Sequence, residues 1–400
     1  MESEQVEQVE QTEVSDTQLV DNDKVKSWTW LGYKAADYVG STFVNAVAKV
    51  TDIVGTSVKD ADYLRAAAGN GWLLLPLFGL IVGIVATVSA GEQPLPPATW
   101  VFLVLMVLGI FDASAGFVAT MVFLVSTIVT GHFDSLHAVA GIFGLGVMWF
   151  GAAKLAHTFR SIKTWDTEPT KLLRWWRIGG DIIILPVAGA FLMSKLVEIF
   201  PYLTGYEVPI RKDSNVVLFL ALSAFTLRAI LQSAVVNNYR YRLATMPQGI
   251  PTTLTPLARV VGFLLRGFVA YAAIWSFLGN SVQTWIILVV FILFEPIGYY
   301  GVKYDFESTV IRRLTPRNLL KLAVVILFTE LIVMWLSPRY HSSQQLLGWT
   351  FVALAIFILV LLILEQFRGS DWPERWVTRI LGAATVVFFV LVIQGYVKIH

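Results

Sequence analysis

The sequence predicts an all-α fold, a polytopic integral membrane helical bundle of about eleven transmembrane helices with its N-terminus cytoplasmic, and three observations carry that prediction. Hydrophobic residues make up 56% of the 400 positions and charged residues only 14%, and the apolar residues fall in blocks instead of alternating with polar ones. Most blocks approach the ~20 residues that a helix needs to cross hydrocarbon. Basic residues gather in alternate connections between blocks, the pattern that fixes membrane orientation.

Residues 1–23 carry eight acidic side chains, Glu2, Glu4, Glu7, Glu10, Glu13, Asp16, Asp21 and Asp23, and no base before Lys24. Such a stretch cannot bury enough apolar surface to fold and reads as a disordered tail. From 24 to 66 the character changes. Val39, Phe43, Val47, Val50, Val54 and Val58 recur three and four apart, while Lys49, Asp52, Lys59 and Asp60 fall elsewhere, which is the period of an amphipathic helix. Trp28, Trp30 and Tyr33 precede it, so this cytoplasmic arm is expected to lie on the membrane surface or against a protein partner. Residues 67–400 form the transmembrane domain. The N-terminus has no short apolar core with a cleavage site, so the first membrane helix is expected to act as the targeting signal.

The apolar segments of that domain are 71–90, 100–130, 138–156, 178–200, 216–236, 257–278, 282–300, 319–336, 347–364 and 376–396. Segment 100–130 is too long for one span and short for two, with Asp112 and Ser114 among Ala113, Ala115 and Gly116 at its middle. Parity decides how it behaves. The connections after 156 (Arg160, Lys163, Lys171, Arg174, Arg177), after 236 (Arg240, Arg242), after 300 (Lys303, Arg312, Arg313, Arg317) and after 364 (Arg368, Arg375, Arg379) are the basic ones, hence cytoplasmic. With the basic arm also inside, 100–130 must begin and end on the outer face. It crosses twice as two short helices, giving eleven spans and an outer C-terminus, or dips in as a re-entrant hairpin, giving nine spans plus the hairpin; the first is preferred. The location expected is the plasma (cytoplasmic) membrane, and the lipid bilayer is the first partner.

Charge inside these spans is the feature that bears on function. Arg228, Arg266, Glu295 and Glu330 lie within apolar runs, where a charge costs about 2.5–3.5 kcal/mol at a helix centre and survives by pairing, by facing a cavity or by doing chemistry. At ~1.5 Å per residue, Arg228, Arg266 and Glu295 fall at comparable depth in the inner half of three consecutive helices, and Glu330 lies farther out. The site expected is a substrate or ion pathway formed by Arg228, Arg266, Glu295, Glu330 and Asp112; its structural alternative is an ion-pair network that pins helix packing. Pro296 and Gly298 after Glu295 predict a kink. Lys195 and Glu198, three apart, read as a local pair, and Asp181 as a favourable charge at a helix start. Gly79 with Gly83, and Gly141, Gly144 and Gly146, read as close helix packing.

Several functions are excluded or weak. The net charge of +2 gives no basis for nucleic-acid binding, and the lack of cysteine removes thiolate metal sites and cysteine nucleophiles. His132, Asp134 and His137 are the nearest approach to a metal cluster and lack a fourth ligand, so no metal and no cofactor is expected. No glycine-rich phosphate loop or paired serine and histidine appears. The favoured function is a transporter or permease of a small solute, ion or lipid. A non-catalytic membrane subunit or scaffold of a multiprotein envelope complex, docking its partner through the arm, is the alternative. A membrane-embedded transferase resting on Asp134 or Asp112 comes third, so catalysis is not the expected role.

Overall fold

The computed structural model describes residues 60–90, 97–133, 135–151, 171–206, 208–238, 256–303 and 318–366, with Ser57 and Ala384. All regular structure among them is helical. A short helix, α1 (Asp62–Ala68), leads through a 3-10 turn into α2 (Leu74–Ser89). There follow α3 (Thr99–Phe111), α4 (Ala113–Val129), α5 (Leu136–Gly146), α6 (Lys171–Thr204), α7 (Ser214–Asn238), α8 (Pro256–Leu278), α9 (Val282–Lys303), α10 (Asn318–Leu336) and α11 (Ser343–Gln366). Each apolar segment from 71 to 364 thus holds one helix, except 100–130, which holds two. Five helical stretches, Gly71–Ser89, Pro186–Thr204, Ile210–Val235, Val260–Leu278 and Ser343–Leu361, are long and apolar enough to cross a membrane. The arm before residue 57 and the last apolar segment, 376–396, lie outside the described residues apart from Ala384.

Much of the outward-facing surface of the described helices is apolar. Leu74, Ile81, Val88, Phe219, Leu264, Leu265 and Val282 are all exposed, as expected where the solvent is hydrocarbon and burial gives helices no hydrophobic reason to associate. Packing must then come from close approach. Gly79 lies so near Ala115 that a Cβ would fall onto its backbone, and Gly83 meets Ala119 in the same way. Both pairs are offset by 36 positions, so α2 and α4 run parallel, and α3 returns between them.

The legs of this hairpin are short, 13 residues in α3 and 17 in α4, or roughly 20 and 26 Å. They are also the most enclosed part of the fold: Val101, Phe102, Leu105, Met106 and Ile110 on α3, and Ala113, Ala115, Ala119 and Phe123 on or beside α4, are all buried. Helices α5, α6 and α7 surround them, with α8 joining the same core through Ala272. At the centre, Trp149 meets Phe102 at 6.4 Å and Phe123 edge-on at 5.8 Å, and Phe102 also meets Phe200 at 6.4 Å. A smaller cluster of Leu278, Ile287 and Val352 joins α8, α9 and α11.

Trp149 owes its place to a π-helical turn, Val147–Gly151, that ends α5. The widened turn turns its carbonyl oxygen toward the hairpin, between Gly109 on α3 and Gly116 on α4. A Cβ at either glycine would fall on that oxygen, so each presents an α-hydrogen to it, a weak contact that fixes how closely the three backbones approach. At Gly144 an added Cβ would lie 3.0 Å from the side chains of Phe200 and Leu203, a tight fit that those side chains would have to relieve.

One expectation needs adjustment. Asp181 is ten residues into α6, which begins at Lys171, so it does not sit at a helix start and the dipole argument fails there. Helix α9 runs on through Pro296 to Lys303. Lys195 and Glu198 pair locally at 2.7 Å, as their spacing predicts.

Gly109→Ala is expected to destabilise the detergent-solubilised protein by about 1–3 kcal/mol, the usual cost of overpacking. Gly267→Ala, where nothing lies within 4 Å of the added carbon, should be neutral or gain about 0.5–1 kcal/mol from helix propensity. Thermal unfolding of both variants checks the contrast, and equal effects would remove the close-approach argument.

Candidate functional site

The break between α3 and α4 creates a local problem. A helix ends with four carbonyls that lack intrahelical donors, and another starts with four unpaired N–H groups; here both ends lie inside protein, because Asp112, the single residue between them, has no exposed surface. Register places the break in depth as well. With the 36-residue offset between α2 and α4, Asp112 lies level with Pro76, about five residues and so ~8 Å inside the end of the span Gly71–Ser89.

Asp112 supplies half of the solution. Its extended backbone, φ −139° and ψ 102°, stops α3, and its Oδ1 accepts from the Ser114 N–H at 2.8 Å and the Ser114 hydroxyl at 2.6 Å. This is the N-cap arrangement that satisfies orphan donors, and it explains the Asp-Ala-Ser order. The Asp112 N–H donates to the Leu108 carbonyl at 2.8 Å, closing one orphan of α3.

Two side chains from elsewhere close the others. Arg228 on α7 is 1% exposed, and its Nη1 donates to the carbonyl of Ile110. Tyr63 on α1 donates its hydroxyl to the carbonyl of Phe111 at 2.6 Å. A cation at a helix C-terminus also complements the helix dipole. The guanidinium then needs a counter-charge: Nη2 donates to Asp60 Oδ1 at 2.6 Å, with both side chains 1% exposed, and the Tyr63 ring covers the guanidinium at 5.6 Å. Arg228 Nε, Gln232 Oε1 and Asp112 Oδ2 are buried without a hydrogen-bond partner; Gln232 is one turn beyond Arg228 on α7.

The sequence-predicted site residues therefore separate. Arg228 and Asp112 come together at the hairpin tip. Arg266, on α8, is exposed, and its guanidinium runs back along the helix to within 3.8 Å of where a Gly262 Cβ would be, the posture of a side chain reaching for the near interface. Glu330, on α10, is exposed as well. The side chain of Glu295 lies outside the described residues. Among the described residues, Arg228's partners are Asp60, Tyr63 and the Ile110 carbonyl.

Asp60 and Tyr63 are the members that sequence reasoning missed. Asp60 was assigned to the polar face of the arm, yet its place three residues before Tyr63 and just ahead of the first span was the available signal. His132 and His137 do not converge: His132 Nδ1 meets the Thr130 hydroxyl at 2.8 Å, whereas His137 Nδ1 meets the Leu203 carbonyl at 3.1 Å and its ring lies against Trp275. Among the described residues no group of three metal-ligating side chains forms, and Asp134 lies outside them. A groove of about 530 Å³ opens beside the tip, walled by the apolar side chains of Leu64, Leu75, Phe78, Val107, Phe111 and Leu220.

No protein-family model, curated protein or solved structure matches the chain. What the helices define is a class: an all-helical, membrane-embedded protein.

Arg228→Met should cost about 3–5 kcal/mol, because it leaves the Asp60 carboxylate buried without its cation. Adding Asp60→Leu should recover much of that loss, but not the part due to the Ile110 carbonyl. A double-mutant cycle on thermal unfolding of the full chain measures the coupling; additive effects would mean that the two residues do not act as a pair.

Proposed function

We propose that this chain is a non-catalytic membrane subunit, a bundle of eleven crossings with the N-terminus inside and the C-terminus outside that holds a cytoplasmic arm for a protein partner. The observation that carries this reading is how Arg228 is used. The most deeply buried cation among the described residues is spent on closing a helix break and on fixing Asp60, the residue at which the arm meets the bundle. Charges that serve a conduction path must be able to change partners; a guanidinium held by a carboxylate, a helix end and an aromatic ring is built for position. Arg266 and Glu330 face outward, which takes them away from any path through the centre.

The permease reading favoured by sequence alone retains one specific observation. Broken helices inside a bundle are the element from which transporters build ion sites, and Asp112 Oδ2, Gln232 Oε1 and Arg228 Nε are buried polar atoms of the kind that ordered water or an ion satisfies.

Removal of residues 1–56 leaves Asp60 and Tyr63 in place and so separates partner binding from folding. The subunit reading expects a stable complex that copurifies with the full chain in mild detergent and is lost on this truncation while the bundle remains monodisperse. Isolation of the full chain without any stoichiometric partner sinks it. Asp112→Asn distinguishes the second reading, since asparagine caps as well as aspartate but carries no charge: unchanged activity of the complex is expected, and loss of solute flux with the fold intact would transfer the assignment to a permease, as would the same result for Glu295→Gln.

A further inference from the structure

Helix α10 leaves a charge in the bilayer. Its packing partner is α11, on which Phe328 stacks against Phe357 with ring centroids 3.8 Å apart. Glu330 is two residues and thus ~200° farther round the helix, on the opposite side. There it lies in a stripe with Leu327, Leu331, Met334 and Trp335, which are 47, 55, 68 and 55% exposed. The spacing of three, four, seven and eight residues is that of a face that packs on another helix.

Glu330 makes no hydrogen bond or ion pair among the described residues. It is six residues, about 9 Å, from the outer end of α10 at Leu336 and twelve, about 18 Å, from Asn318. A glutamate with two methylenes does not reach either surface from that depth as arginine does. The cation at the outer end, Arg339, is seated on the Trp335 ring at 3.7 Å.

We propose that this stripe is the docking face for a transmembrane helix of another polypeptide that presents a Lys or Arg to Glu330. The inference rests on the subunit reading and names where within the membrane the partner binds. A base supplies the charge that Glu330 lacks, and the flanking Leu327, Leu331 and Met334 supply an apolar rim that keeps lipid and water from the pair. Two copies of this chain meeting on the same face would instead bring two carboxyls together, which is stable only if a proton is bound between them.

The test places a photo-activated benzophenone side chain at Met334 of the full chain in its native membrane. The expected product is an adduct with one other polypeptide, and peptide sequencing should find the attachment in a transmembrane segment that contains a Lys or Arg. Glu330→Leu should reduce the adduct at least tenfold while leaving the unfolding temperature of the isolated chain unchanged or higher. Glu330→Lys should abolish the adduct, and exchange of the partner's base for Glu should restore it. An adduct between two copies of this chain, an adduct to a segment without a base, or no adduct from correctly inserted protein overturns the proposal. A complex that depends on residues 1–56 yet survives Glu330→Lys unchanged overturns this interface and leaves the subunit reading standing; absence of any complex removes both.

Discussion

Arg228 and Asp60 meet where a helix is broken inside the protein, and much of the packing at this end of the bundle follows from that meeting. The carbonyls of Ile110 and Phe111 cannot reach water, and a buried polar group without a partner costs about 1–3 kcal/mol. Neutral donors alone would satisfy the carbonyls, as Tyr63 does for Phe111. A guanidinium does so while opposing the negative end of the α3 dipole, but it brings a charge that this environment does not tolerate alone. Asp60 is therefore required by Arg228, and Arg228 by the break. The segment just before the first span becomes part of the core of a membrane protein by electrostatic necessity.

The break in turn depends on glycine and on Trp149. The hairpin legs carry large side chains toward the interior, Phe102, Met106 and Phe123, and can still lie close together only because Gly109 and Gly116 let the two backbones close on one carbonyl oxygen. In water such a core would be driven together by apolar burial. In lipid that drive is missing, and contact geometry must replace it. This is why the tightest backbone approaches, Gly79 with Ala115 and Gly109 with Trp149, cluster around the hairpin.

Much of this was legible in the sequence for a simple reason: crossing hydrocarbon demands length and apolarity in one contiguous run, which a single chain displays directly. The parity argument from basic loops likewise called for a double crossing or a re-entrant hairpin in 100–130, where two short helices, α3 and α4, lie. Two alternatives for that segment proved compatible in part, since the legs are two separate helices and Asp112 is nonetheless enclosed in protein. The site was less legible. Depth counted along each helix put Arg228 level with Arg266 and Glu295, but depth says nothing of the direction around a helix. Rotation decides that Arg228 faces α3 and Arg266 faces outward. Asp60 was hidden for a related reason: a polar residue on an amphipathic arm looks solvated until a buried cation claims it. The π turn at Trp149 left no mark beyond the glycines about it.

Intramembrane charges thus do not form one category, and side-chain length separates them. Arg228 has no route to a surface and is given partners. Arg266 has a long stem that follows its helix past Gly262 toward the α8 N-terminus, so its outward position is compatible with a guanidinium held near polar surroundings. Glu330 has neither the enclosure of the first nor the reach of the second. A carboxyl at that depth gains nothing for a chain surrounded only by lipid, where leucine at the same position would pack as well and cost less. Glu330 is therefore not accounted for by the described residues, whereas Arg228 is explained by Asp60, Tyr63 and the α3 terminus.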